Sequence, residues 1–318
     1  MNRTRRLSAR REDAPAAPLP SPTEANSSAF SGEELAVVRR AYARQMLAIV
    51  GVNSPAIEAA YAVAPREVFL GLPPWTVSSR YGAHRLAGAD PVVLYQDLVI
   101  ALDSARGVNN GSPSLHAKLL EAKLGEHIVH VGAGAGYYSP ILAELVGPAG
   151  QVTAVEFDAA LAERAKSLLS GRPNVRVVHG DGACWPETSA DGVYVNFAVS
   201  RPADRWIEGL FPGGRLVFPL GVPGPKRANS GGRHSDRGAA LRIERRGDAC
   251  AARAVSAAYF VCAEGGFEAD AEEAERLRAA FDAGGLDTVH SLIWKRPAPP
   301  DRCWFAGKDW ALCLDEAA

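Results

Sequence analysis

Apolar positions recur at helical spacing from Ser31 to Val50. The run opens with Ser31-Gly-Glu-Glu34, the spacing at which serine and glutamate cap each other's backbone N–H groups. A second helix is expected from Ser54-Pro55, with serine as cap and proline in the first turn, ending near Pro65. Residues 71–95, with Trp75 and Tyr81 among prolines and glycines, read as an irregular segment, and Pro91–Leu102 as a strand pair or short hairpin. From Ser112 the pattern alternates. A helix is expected from Ser112-Pro113 to Leu124, then a strand over Glu126–Val131, a helix over Tyr137–Val146 and a strand over Gln151–Glu156. A helix over Asp158–Ser170 follows, then strands at Val175–His179 and Gly192–Phe197, a helix around Ala203–Leu210 and a strand over Arg215–Pro219.

Strands separated by helices of this length imply βαβ units and a parallel sheet. The expected class is α/β, a doubly wound and mostly parallel sheet. Ala240–Arg245 and Ala254–Cys262 alternate as antiparallel strands added at its edge, after a polar Gly/Pro/basic run at 222–238. Glu272–Phe281 reads as a helix. Cys303–Leu314 closes the chain, with Trp304 and Trp310 expected either to pack the C-terminal extension or to cover a pocket. The expected division is a disordered arm at 1–30, a helical substrate-side segment at 31–110, a ligand-binding domain at 111–265 and an extension at 266–318.

Composition narrows the partners. Among 318 residues, 35 Lys+Arg balance 36 Asp+Glu, so the surface is not built to neutralise phosphates, and nucleic acid is disfavoured as a partner despite five arginines before residue 12. No apolar run reaches the ~20 residues of a membrane span, and no apolar segment of signal-peptide type follows the N-terminal arginines. The five cysteines are scattered and read as free thiols of a reducing cytoplasm. No metal site is expected: His127, His130 and His179 lack partners at ligand spacing and read as structural or, for His179, adenine-side.

The sharpest signal is His130-Val-Gly132-Ala133-Gly134-Ala-Gly136-Tyr137, a strand running through glycines into a helix. Such a turn lets a ligand approach backbone N–H groups closely. A dinucleotide fold wants G-x-G-x-x-G, and Tyr137 stands at the third glycine position. The spacing suits a ligand without pyrophosphate, such as S-adenosylmethionine. Glu156, ending the next strand, would then hold ribose hydroxyls, and Asp181, after the third, would lie near an adenine amino group.

These residues resemble a family. The glycine turn, Glu156, Gly180-Asp181-Gly182 and Leu210-Phe-Pro-Gly-Gly-Arg-Leu-Val-Phe-Pro-Leu-Gly221 follow, in order, the pattern of the protein-L-isoaspartate O-methyltransferases. Ala64-Pro-Arg-Glu-Val-Phe69 and Pro113-Ser-Leu-His116-Ala117 resemble elements upstream, and the resemblance covers about residues 35–265. It implies a Rossmann-like class I methyltransferase fold and S-adenosylmethionine bound by Gly132, Ala133, Gly134, Gly136, Glu156, Asp181 and Gly182. It further implies methyl transfer to a protein or peptide carboxylate in the cytoplasm. A carboxylate is ionised at neutral pH, so no general base is required.

Two departures stand out. The family's T-I-S-x-P places its serine on Gly111 and its threonine on Asn109, and Asn109, Asn110 and Ser112 are the candidate replacements at the methyl-transfer site. Each has a plainer use, Ser112 as a helix cap and the asparagines in a turn. Phe197 stands where the family has small residues, either narrowing the pocket floor or filling core. The alternatives are a same-fold methyltransferase of another acceptor and a cofactor-binding protein without turnover.

Overall fold

A computed structural model describes residues 30–79, 82–225, 232–263, 267 and 270–317. The arm expected at 1–30 lies outside them except for Phe30, and so does 226–231 of the polar run at 222–238. In chain order the helices and strands are α1 (Gly32–Ile49), α2 (Pro55–Val63), α3 (Arg66–Phe69), β1 (Thr76–Ser79), β2 (Gly82–Arg85), β3 (Ala101–Asp103), β4 (Val108–Asn109) and α4 (Pro113–Leu119). The alternating part comprises β5 (His127–Val131), α5 (Tyr138–Val146), β6 (Gln151–Glu156), α6 (Ala159–Leu169), β7 (Val175–His179), β8 (Ala190–Val195), α7 (Asp204–Glu208) and β9 (Leu210–Pro223). The chain then adds β10 (Ser235–Arg246), β11 (Ala249–Ala257), α8 (Ala271–Ala283), β12 (Ser291–Trp294), β13 (Cys303–Ala306) and β14 (Trp310–Cys313).

Ten strands form one sheet in the order β13-β14-β12-β11-β10-β9-β8-β5-β6-β7. The five from β9 to β7 are parallel, and the other five join antiparallel. The expected α/β class is therefore observed, and the C-terminal strands extend the same sheet. Alternation along β5 shows why the sheet is buried on both faces. Ile128 enters the apolar layer with Tyr42, Met46, Tyr61, Ile141 and Leu169, while Val129 and Val131 enter the layer with Trp206, Phe218, Leu277 and Trp310. Trp310 is buried there and Trp304 packs on Phe281, so both pack the extension.

Three local expectations are corrected. The helix from Pro113 ends at Leu119, because Leu120 turns extended and the Glu121 carbonyl accepts from buried Arg215. Pro91–Leu102 is not a hairpin. The buried Arg66 guanidinium binds the carbonyls of Leu94, Gln96 and Leu98, groups that a strand ladder would have used; Ala101–Asp103 pairs with β4, and Ile100 makes a single bridge to Val77 of β1. The irregular stretch at 71–95 contains the β1–β2 hairpin.

The reading of five free thiols also fails. Cys303 and Cys313 face each other across β13 and β14 and form a disulfide, leaving Cys184, Cys250 and Cys262 free. Among the described residues, no helix is long and apolar enough to cross a membrane.

Candidate functional site

The parallel strands point their carboxyl ends at one cavity of about 350 Å3. It lies where strand order reverses, β6 on one side of β5 and β8 on the other, as ligand sites in open α/β sheets do. Val131–Ala135 follow β5, Val155–Asp158 close β6, Asp181 and Gly182 follow β7, and Asn196 and Phe197 follow β8; all line it. The wall on the N-terminal side comes from Asn109–Ser112, Leu115 and His116.

The turn after β5 is fixed by backbone bonds. Gly132 and Ala133 both donate to the Val155 carbonyl, at 2.9 and 3.1 Å. Gly132 and Gly134 sit at φ 74° and 58°, which a side chain strains to adopt. The Glu156 carboxylate accepts the Gly134 N–H at 2.6 Å and the Asp158 N–H at 2.9 Å. It is only 8% exposed, and burial raises its pKa against the opposing pull of these backbone donors. Two N–H bonds leave a carboxylate with acceptor capacity to spare. Asp181 caps the turn Gly182–Cys184 through the Ala183 N–H. Arg106 pairs with Asp158, the cap of α6, tying the loop after β3 to the cavity rim.

The glycines divide by what needs them. Gly136 is the one predicted cofactor residue not brought to the cavity. A Cβ there would meet Leu169 Cδ1 at 2.9 Å and Ala165 Cβ at 3.3 Å, so its bareness lets α6 close on the turn. A Cβ on Gly182 would lie 2.2 Å from Val131 Cγ1, so packing also fixes that residue. Phe197 covers Gly132, with Cδ1 2.6 Å from the Cβ position, and also contacts Trp206 and Phe267. It narrows the cavity and packs core at once.

On the substrate side, the sequence candidates separate. Asn109 makes an Asx turn: Oδ1 accepts the Gly111 N–H at 2.9 Å, and Nδ2 donates to the Gly107 carbonyl. Ser112 caps α4 through the Leu115 N–H and donates to Asp97 at 2.9 Å. Asn110 is buried, and its Oδ1 accepts the Ile100 N–H at 2.7 Å. Gly111 has φ 70°, and a Cβ there would stand 2.2 Å from His116 Nε2. The imidazole thus occupies the volume that a side chain at 111 would fill. His116 stacks on Tyr138, with ring centroids 3.7 Å apart, and shares a 2.5 Å hydrogen bond between Nδ1 and the Tyr194 hydroxyl. Burial holds its pKa well below the usual histidine value, so the ring is neutral.

Three further histidines do structural work. His130, pushed down to about 3 by burial, bonds Ser139 Oγ and the Asn196 side chain. His127 bonds Thr153, and His179 meets the Phe157 carbonyl. Tyr138, Asn196 and His116 are cavity residues that sequence reasoning missed as such, since only tertiary packing brings them there.

Residues 91–242 match the family model described as Protein-L-isoaspartate(D-aspartate) O-methyltransferase (PCMT). The matched region, a little under half of the chain, is similar to the protein-L-isoaspartate O-methyltransferases. The chain is similar to protein-L-isoaspartate O-methyltransferase 2 of Archaeoglobus fulgidus, 38% identical over 112 residues, covering 34% of this chain and 51% of that one. A solved protein-L-isoaspartate O-methyltransferase superposes with TM-score 0.58 at 25% identity, covering 72% of this chain and 67% of the other. A Plasmodium falciparum structure described as that enzyme, in complex with S-adenosyl-L-homocysteine, gives TM-score 0.53 at 14% identity, covering 71% and 98%, and shows the shared fold. The chain spans about half the length of the curated relatives it matches. The fold is that of class I methyltransferases.

Restoring the family's residue with Gly111→Ser should destabilise the protein by about 2 kcal/mol, from the positive φ and the displaced imidazole. Urea unfolding measures this; wild-type stability in the variant would mean that His116 can swing away freely.

Proposed function

We propose that this protein is an S-adenosylmethionine-dependent O-methyltransferase acting on a carboxylate of a protein or peptide, an isoaspartyl group being the first choice. The observation that carries the reading is the meeting, in one cavity, of the glycine turn, Glu156 and Asp181 with the wall Asn110–Gly111–His116. The residues fit the cofactor: the Cβ position of Gly134 meets nothing nearer than Leu102 Cδ1 at 3.4 Å, and the Glu156 carboxylate keeps acceptor capacity for ribose hydroxyls. Asp181 stands one strand further along, on the adenine side. S-adenosylmethionine, when bound, supplies a methyl group on an electrophilic sulfonium.

The chain's own task is then alignment and exclusion of water. An ionised carboxylate attacks unaided, which agrees with a cavity whose His116 is neutral and whose Tyr137 and Tyr138 are held protonated by burial. Phe197, Phe260 and Phe267 make much of the cavity wall apolar. We keep a cytoplasmic location within this proposal, although the Cys303–Cys313 bond removes the argument from free thiols. Gly111 in place of the family serine favours a second reading, the same transfer to a different carboxylate.

Incubation with radiolabelled S-adenosylmethionine and an isoaspartyl peptide, against the matched aspartyl peptide, decides between them. Base-labile label on the isoaspartyl peptide alone is expected. No label, with S-adenosylhomocysteine still bound, would move the acceptor to another carboxylate.

Glu156 makes cofactor binding sensitive to pH. Its pKa is raised, so it protonates at a higher pH than an ordinary glutamate, and the ionised acceptor is lost as pH falls through that raised value. Affinity for S-adenosylhomocysteine should therefore fall as pH is lowered from neutrality, and begin to fall at a higher pH than an ordinary glutamate would give. In Glu156→Gln, calorimetric titration should find weaker binding without this slope; an unchanged slope would assign it to another group.

A further inference from the structure

The wall beside Gly111 contains two hydrogen-bond donors with nothing to donate to. Asn110 Nδ2 and the Tyr138 hydroxyl are closed off from solvent without a partner, and both residues line the cavity. The orientation of the Asn110 amide is fixed: the atom facing the Ile100 N–H must be the oxygen, so the NH2 is the group left over. Tyr138 keeps its proton, because burial pushes its pKa well above the usual phenol value. Unpartnered buried donors are costly, and native structures keep them where a ligand completes the bonding. Two such donors among the lining residues fit a group that accepts, and Asn196 Oδ1, which also belongs to a lining residue, is an acceptor without a partner.

The same wall lacks the side chain that the family alignment would put at 111. His116 fills that volume and fixes Tyr138 by stacking, and its own ring is held by Tyr194. Of the cavity's cations, Arg106 is engaged with Asp158. Neutral donors can hold a carboxylate while leaving its charge, and hence its nucleophilicity, largely intact; a buried guanidinium would quench it.

Resting on the methyltransferase reading above, we propose that Asn110 Nδ2 and the Tyr138 hydroxyl hold the acceptor carboxylate, and that His116 positions Tyr138 from the space vacated at Gly111. This chain thus replaces a single hydroxyl on the loop by an amide and a phenol drawn from two different elements.

The test uses the full chain saturated with S-adenosylhomocysteine, titrated with an isoaspartyl peptide, in wild type, Tyr138→Phe and Asn110→Asp. Tyr138→Phe keeps the ring that stacks on His116. Asn110→Asp keeps an oxygen for the Ile100 N–H and puts a repelling oxygen where the donor was. Peptide affinity should fall about ten-fold or more in each variant while cofactor affinity stays near wild type; the thermal midpoint stays near wild type in Tyr138→Phe and falls in Asn110→Asp, which buries a carboxylate. Wild-type peptide affinity in both variants, with cofactor binding intact, overturns the inference alone. A wild-type protein that binds S-adenosylhomocysteine and not the peptide, yet methylates another carboxylate equally well in all three forms, also overturns it. No methylation of any carboxylate by a cofactor-bound wild type removes the acceptor class and this inference with it. Absence of cofactor binding in wild type defeats the methyltransferase reading itself.

Discussion

The Glu156 carboxylate ties the glycine turn after β5 to the start of α6. One oxygen takes the Gly134 N–H and the other the Asp158 N–H. Asp158 in turn caps α6 and holds Arg106 at the cavity rim. Gly136 completes the arrangement from behind, since only a bare Cα lets Leu169 of α6 close on the turn. Burying the carboxylate raises its pKa, and that cost is accepted where an ionised acceptor is needed by a ligand.

The cavity wall at Gly111 is organised by a different constraint, the neutral imidazole of His116. It is wedged between Gly111, Tyr138 and Tyr194, so the loop before α4 cannot carry a side chain at 111. The glycine turn, Glu156 and Asp181 thus keep the pattern the chain resembles, and the wall at Gly111 departs from it. Asn109 and Ser112, adjacent in sequence to the site, spend their polar groups on a turn and a helix cap. Asn110 Nδ2 and the Tyr138 hydroxyl, by contrast, have no partner.

The parallel sheet was legible because each strand there is a short apolar run bounded by turn residues, and the glycine turn because its chemistry is local. Glu156 and Asp181 could be brought to one cavity because the first ends β6 and the second closely follows β7. What could not be read depends on contacts distant in sequence. The end of α4 at Leu119 is set partly by Arg215, far down the chain. The irregular course of residues 91–98 is set by Arg66, which binds three of its carbonyls. The Cys303–Cys313 bond follows from the register of two strands, which spacing alone does not give. Tyr138 reads as an ordinary core position of an amphipathic helix, and only its packing against His116 reveals the orphan hydroxyl.

The central claim is that the cavity at the ends of β5, β6 and β7 takes a nucleoside without pyrophosphate. Thermal unfolding of the full chain with S-adenosylhomocysteine and, separately, with NAD tests it most directly. The account predicts a midpoint that rises with S-adenosylhomocysteine concentration and does not respond to NAD. Stabilisation by NAD with none by S-adenosylhomocysteine would contradict it.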